Sequence, residues 1–319
     1  MKLQILIAQY RENEAMIYPL LQSIGLQQAI NFDDVEVIIC NDGSDVVLSD
    51  DFLNQFSYNI RYIKNKHGGV SVTRNTLLDA ASAEYIMLCD ADDCFINMFA
   101  LYMIFQGMDK GFDVFVATFV EDVCIQERHM YVNRHKDPHF IHGKVFRRQY
   151  LIDNNIRWKD RFTFSGDTYF LTLALNSGGK LMYYSTPIYM WRWNDNSICR
   201  HERNHFARAY SVKMDVDCAL IEEFIARGQT ENAQKVMADF VYDAYFSMLA
   251  PSWSMLRKED RQAKEAQFRS IFSRYKQYFY DASPEIKSGV VANKRASLAI
   301  NGIFEQPVSF DNWIKSVTD

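Results

Sequence analysis

The sequence predicts an α/β domain, a mostly parallel sheet with helices on both faces, followed by an α-helical C-terminal region. Three observations carry that expectation. Apolar runs of strand length alternate with segments of helical periodicity through residues 1–120, the order that builds a parallel sheet through crossover helices. Two of these runs end in carboxylates. Val35-Glu36-Val37-Ile38-Ile39-Cys40 leads into Asn41-Asp42-Gly43-Ser44-Asp45, and Glu84-Tyr85-Ile86-Met87-Leu88-Cys89 leads into Asp90-Ala91-Asp92-Asp93. From residue 204 the strand pattern gives way to long amphipathic helical stretches, so the boundary is drawn between 1–203 and 204–319.

The chain opens on a strand, Leu3-Gln4-Ile5-Leu6-Ile7-Ala8. Ile17, Leu20, Leu21 and Ile24 at helical spacing predict a helix over 13–29. Strands at 35–40 and 60–63 follow, then a helix over 70–81 leading into strand 85–89, and a helix over 97–108 leading into strand 113–119. Residues 120–200 are mixed, with a strand near 130–132, helices near 147–154 and 167–175, and short strands at 180–184 and 188–191. Beyond them Val236, Phe240, Val241, Ala244, Tyr245 and Met248 form one apolar stripe. Pro251 ends that helix, and another spans about 259–280.

Bulk properties narrow the function classes. The chain has 319 residues, 48% hydrophobic and 24% charged, enough apolar material for a full core. A net charge of −5 argues against a protein that coats nucleic acid. Cys40, Cys89, Cys94, Cys124, Cys199 and Cys218 contain no C-x-x-C pair and no zinc spacing, as expected of free thiols in a reducing compartment. No apolar stretch reaches the roughly 20 residues of a membrane span. The amino terminus runs straight into a strand without a cleavable-leader pattern, so a soluble, cytoplasmic protein is expected.

Carboxylates at the carboxyl ends of strands suit a hard cation, which in turn can grip phosphate oxygens. Four blocks in order then resemble the family 2 glycosyltransferases, inverting enzymes with a GT-A nucleotide-sugar fold. Ala8-Gln9-Tyr10-Arg11-Glu12-Asn13 resembles the family's first loop, and Val37 to Asp45 its strand plus D-D-G-S-x-D. Gly68-Gly69-Val70-Ser71-Val72-Thr73-Arg74-Asn75 resembles the G-x-x-x-A-R-N helix start, and Asp90-Ala91-Asp92 the D-x-D motif. The resemblance covers residues 1–200 and implies a hexosyltransferase-type enzyme that uses a UDP-sugar.

That resemblance sets Ala8, Tyr10, Glu12, Asp42, Lys66, Arg74, Asp90, Ala91 and Arg192 around the donor. Asp42 can accept a hydrogen bond from the uracil imide, although Asn-Asp-Gly-Ser is also good turn chemistry. Arg74 can contact base or phosphates, or form a surface ion pair. The family pattern makes Asp92 the direct ligand of Mn²⁺ or Mg²⁺, with Asp90 facing the ribose or a metal-bound water. His201 is the nearest histidine that could complete the shell, although a lone histidine is usually not a ligand. A dication there stabilises the charge that develops on the departing nucleoside diphosphate.

Downstream, His142-Gly143-Lys144-Val145-Phe146-Arg147-Arg148 resembles the family's K-L-[FY]-R-R segment, which precedes an E-D dipeptide whose aspartate is the general base. Here the matching place reads Phe164-Ser165-Gly166-Asp167, so the resemblance implies Asp167 as base with glycine in place of the glutamate. Asp167 can also serve as a helix cap. Trp191-Arg192-Trp193-Asn194-Asp195-Asn196-Ser197 resembles the segment after the last strand, its tryptophans suited to stacking on sugar or to core packing.

A nucleotide-sugar-binding protein without turnover is the rival that Gly166 suggests. A nucleotidyltransferase would need a Gly-rich, lysine-bearing loop after the first strand, and residues 8–13 lack one. The acceptor stays open among glycan, protein, teichoic acid and modified DNA. Basic and aromatic residues alternate through 256–280, a pattern that suits an anionic polymer or a solvated face over a packed stripe. The helical C-terminal region is expected to shape the acceptor site or a homo-oligomer contact, and the compact chain resembles glycosyltransferases carried by bacteriophages.

Overall fold

The computed structural model describes residues 1–162, 165–195, 205–249, 251–300 and 308–318. The chain divides into two compact units, Met1–His201 and Glu202–Asp319.

The first unit begins β1 (Leu3–Gln9), α1 (Glu14–Gly25), β2 (Val35–Asn41), α2 (Asp50–Leu53), β3 (Asn59–Lys64), α3 (Val70–Ala80) and β4 (Tyr85–Asp90). It continues with β5 (Cys94–Phe95), α4 (Ala100–Lys110), β6 (Val114–Ile125), β7 (Arg128–Arg134), β8 (Lys144–Arg147), α5 (Arg148–Asp153), α6 (Gly166–Asn176) and β9 (Leu181–Trp191). The strands make one nine-stranded sheet in the order β3-β2-β1-β4-β8-β6-β9-β5, with β7 paired to β6.

The strands β3, β2, β1 and β4 are all parallel. Leu3, Ile5, Ile7, Val35, Val37 and Ile39 join α1 and α4 in one apolar cluster. Period-two alternation sends Leu6, Ile38 and Ile86 to the other face, where they are equally buried and where α3 packs on β1 and β2. Registers Ala8↔Cys40 and Ala8↔Asp90 set the ends of β1, β2 and β4 level with one another. The loops carrying Tyr10, Asp42 and Asp92 therefore leave the sheet side by side.

Strand–helix alternation does not foretell the far half. There β8 runs antiparallel to both β4 and β6, and β9 lies parallel to β6. The two short strands expected at 180–184 and 188–191 are one strand, β9, whose pairing slips in register around Thr118 where Pro187 enters. Strand β6 is longer than expected and turns into β7 through Gln126 and Glu127, both at positive φ, the pairing that a two-residue hairpin favours.

The second unit holds α7 (His205–Ala226), α8 (Thr230–Met248), α9 (Pro251–Ser254), α10 (Lys258–Asp281), α11 (Pro284–Ile300) and α12 (Phe310–Thr318). Pro251 opens α9, as a residue without an N–H can at a first helical turn. Phe240 stacks on Phe268 at 5.1 Å, and Trp313 packs against both Phe268 and Tyr245. The aromatic residues Phe268, Phe272 and Phe279 of α10 are buried in this unit, and Arg257 pairs with Asp260, so the basic-aromatic segment is a packed stripe with a charged face. Lys213 of α7 and Lys294 of α11 share Asp239 and Asp243 of α8.

Among the described residues no helix is long and apolar enough to cross a membrane. Cys40, Cys89, Cys94, Cys124 and Cys218 are free thiols, and Cys199 lies outside the described residues.

Candidate functional site

The loop after β2 is built around one carboxylate. Asp42 is buried, its Oδ1 accepting from Gly68 N at 2.8 Å and its Oδ2 from Gly69 N at 2.9 Å. His67 Nδ1 lies 3.0 Å from Oδ2. Asp42 thus ties β2 to the residues that open α3, which realises its turn chemistry. Gly43 has φ +68, and a Cβ there would meet His67 N at 2.4 Å, so only glycine fits beneath this loop. Tyr10 stacks on His67 with centroids 4.7 Å apart, which leaves a half-exposed aromatic face above Asp42.

Glu12 folds back so that its carboxylate accepts from Tyr10 N at 2.5 Å. Burial raises it to about 7, the Tyr10 hydrogen bond pulling the other way and the charges of Asp92 and Asp90 adding to the rise. Ala8 ends its run beside Asp90, and Ala91 is buried. Lys66 is exposed on the loop before α3, its backbone N donating to Asn65 Oδ1.

The end of β4 meets a buried arginine. Arg74 Nη2 donates to Asp90 Oδ1 at 2.9 Å, and Nη1 to Asp167 Oδ1 at 2.5 Å. The ion pair weighed as the alternative for Arg74 does form, as a buried bridge and not on the surface. Its carboxylates keep one open side each, Asp90 being 35% and Asp167 22% exposed. For Asp90 burial favours the neutral acid, but the charge and hydrogen bond of Arg74 together with His142 outweigh it, and the carboxyl lies below its usual range. For Asp167 burial prevails over Arg74 and the carboxyl lies above it.

Asp167 is the second residue of α6, behind a left-handed Ser165 (φ 56), so it is not the residue that caps the helix. Its Oδ1 also accepts from Trp158 Nε1 at 3.1 Å. Gly166 has a steric reason: a Cβ there would lie 3.0 Å from Ser71 Oγ and 3.3 Å from Trp158 Cδ1.

Asp92 is partly exposed, its Oδ2 accepting from Asn194 Nδ2 at 2.6 Å, and burial raises its carboxyl. Arg192 Nη1 donates to the Asp92 carbonyl at 3.1 Å, which sets it beside the acidic loop. Behind it Asp93 is fully buried, with Oδ2 accepting from Tyr189 OH at 2.8 Å and Oδ1 from Arg192 N at 2.9 Å. Burial, then the neighbouring Asp90 and Asp92, push its carboxyl well up. His142 stacks between Tyr189 and Trp191, and burial drops it to about 4, so it is neutral at ordinary pH. Its Nδ1 has no hydrogen-bond partner and lies 3.5 Å from Asp93 Oδ2. Asp90, Asp93 and His142 offer ligand atoms within 4.8 Å of one another.

The structure brings Tyr10, Glu12, Asp42, Arg74, Asp90, Asp92, Asp167 and Arg192 to the same end of the sheet. His201 lies outside the described residues. Trp191 packs on Phe140 and His142, the core role of the two weighed for it. Sequence reasoning passed over Asp93, His142 and Trp158 as site residues. Asp93 and His142 stood inside quoted motifs, and Trp158 ends the segment 155–158 that follows the second of them, but spacing alone gives none of the three a role.

Known proteins bear on this arrangement. The family model described as Glycosyl transferase family 2 matches residues 4–173. The chain belongs to that family. It is accordingly a glycosyltransferase, and the sheet with its helices is the GT-A fold. S. aureus TarS 1-349 in complex with UDP-GlcNAc superposes with a TM-score of 0.64 at 17% identity, covering 87% of this chain and 81% of that one. The same protein in complex with UDP gives 0.64 at 15% identity, covering 91% and 86%. The minor teichoic acid biosynthesis protein GgaB of Bacillus subtilis (strain 168) is 34% identical over 71 residues. That match takes in 21% of this chain and 8% of GgaB, a small part of the relative's length.

Proposed function

We propose that this glycosyltransferase moves a sugar from a UDP-sugar to a hydroxyl acceptor with inversion, using Mn²⁺ or Mg²⁺. The observation that carries the reading is the Arg74 bridge, which joins a carboxylate of the D-x-D loop to a second, partly open carboxylate. Asp167 is the base: it takes the proton of the acceptor hydroxyl, whose oxygen attacks the anomeric carbon opposite the departing UDP. Burial holds the Asp167 carboxyl above its usual range in spite of the Arg74 pair, which makes it a better proton acceptor than the pair alone would leave it. Arg74 keeps both carboxylates in place and offsets their mutual repulsion.

The residues fit a hard dication. Asp90 and Asp92 offer partly exposed oxygens on one short loop, and the unpartnered His142 Nδ1 with Asp93 stands behind them. Asp92 and Asp90 would hold the ion, which when bound supplies charge stabilisation to the leaving diphosphate. Tyr10 and His67 provide an aromatic face for the base, and Asp42 keeps acceptor capacity for the uracil imide.

UDP-GlcNAc, bound by TarS, is the donor to test first. Teichoic-acid-type polymers head the acceptor panel because of GgaB's name. The rival, a binder without turnover, rests on Gly166, yet Gly166 faces Ser71 and Trp158. Asp167→Asn decides between the two. It is expected to keep UDP-GlcNAc affinity while cutting transfer by roughly a hundredfold or more. A wild type that binds the donor but transfers to nothing across the panel, water included, would favour the binder.

A further inference from the structure

We infer that Trp158 is a positioning residue for Asp167, and that residue 166 is glycine because the indole needs the space. The inference rests on Asp167 as base. Trp158 Nε1 and Arg74 Nη1 both donate to Asp167 Oδ1, at 3.1 and 2.5 Å. Two donors on one oxygen fix the carboxylate, and Oδ2 is left to take the hydroxyl proton. The second donor is neutral, so it restrains the carboxylate with less loss of basicity than another cation would cause.

The indole is itself held on every side. Its ring lies flat on Phe170, centroids 3.7 Å and planes 5° apart. The Arg74 guanidinium sits 5.6 Å from the ring centroid. Its backbone is tied to α3 by Asn75, which accepts from Trp158 N at 3.1 Å and donates to Trp158 O at 2.9 Å. The helix that supplies Arg74 therefore also anchors Trp158.

Glycine at 166 completes the arrangement. A Cβ would press on Trp158 Cδ1 at 3.3 Å and on Ser71 Oγ at 3.0 Å. Ser71 has little room to yield, because its hydroxyl donates to Phe162 O at 2.6 Å. Where the resemblance expects a glutamate this chain has a glycine, and the indole N–H reaches Asp167 from the preceding segment.

Trp158→Phe tests this, since phenylalanine keeps a ring on Phe170 and deletes the donor. With the full chain, Mn²⁺ and UDP-GlcNAc, UDP release to water is expected to lose about tenfold or more in kcat with KM unchanged. Gly166→Ala is expected to lower kcat in the same way by displacing the indole. A second readout is the indole N–H resonance of the ¹⁵N-labelled protein, assigned by its absence in Trp158→Phe. That resonance is expected to move in Asp167→Asn and in Gly166→Ala. An unmoved resonance in Asp167→Asn, or a Trp158→Phe kcat equal to wild type, overturns the inference. Unchanged UDP release in Asp167→Asn with a moved resonance instead overturns the base reading, and the positioning role with it. Should the wild type release no UDP, the resonance alone decides.

Discussion

Arg74 Nη1 reaches Asp167 Oδ1 across 93 residues of sequence, at 2.5 Å. Its other arm holds Asp90, so one guanidinium spans the end of β4 and the start of α6. Planar, two-ended donation is what distinguishes arginine from lysine at such a place.

Arg74→Lys is accordingly expected to keep one carboxylate contact and lose the other, with turnover falling roughly a hundredfold. Arg74→Met leaves two partly buried carboxylates facing each other and should cost about 3 kcal/mol of stability. Urea denaturation of the two variants checks the second figure. A lysine variant with wild-type turnover would remove the bridge from the mechanism.

Asp92→Asn removes one charge and no volume. The fold should survive, with an unchanged melting temperature in the absence of divalent metal, while Mn²⁺-dependent UDP release is lost. Turnover across a Mn²⁺ titration is the measurement, and wild-type behaviour there would assign the ligand elsewhere.

Asp42→Ala has two expected effects. Preference for UDP over CDP should erode by roughly 1–3 kcal/mol, the scale of a charged hydrogen bond. Because the carboxylate also anchors Gly68 and Gly69, affinity for both nucleotides should fall together. Calorimetric titration of the two nucleotides separates these effects, and equal wild-type affinities would refute uracil recognition.

Glu12 imposes a pH dependence on stability. The unfolded chain releases this proton near pH 4.5, and the folded chain near 7, because burial disfavours the charge. Between those values the folded state holds the extra proton, so stability declines as pH rises through the window and levels off above it. Glu12→Gln should flatten that decline and melt higher than wild type above pH 7 with metal chelated. Parallel melting curves at both ends of the window would contradict the shift.

The strands that end in Asp42 and Asp90 were legible because they are buried on both faces and read as unbroken apolar runs. Arg74 was singled out by the resemblance of residues 68–75 to the family's helix start. Its pairing with Asp90 and Asp167 was not legible, since it depends on how α3 lies against β4 and α6. The mixed half of the sheet was opaque for a similar reason. Pairing of β8 between β4 and β6 is a long-range choice, and the local pattern of Lys144-Val145-Phe146-Arg147 is silent about it. Asp93 and His142 look like ordinary motif neighbours until burial turns them inward.

The loop that Asp42 grips continues directly into α3, and α3 carries Arg74. At about 1.5 Å of rise per residue, under 10 Å of rigid helix separates the glycines that Asp42 holds from the arginine that holds Asp167. Tilt at one end is leverage at the other. With the roles proposed for Asp42 and Asp167, donor preference and transfer rate would share that axis, and substitutions at the two should combine non-additively despite having no atom in contact.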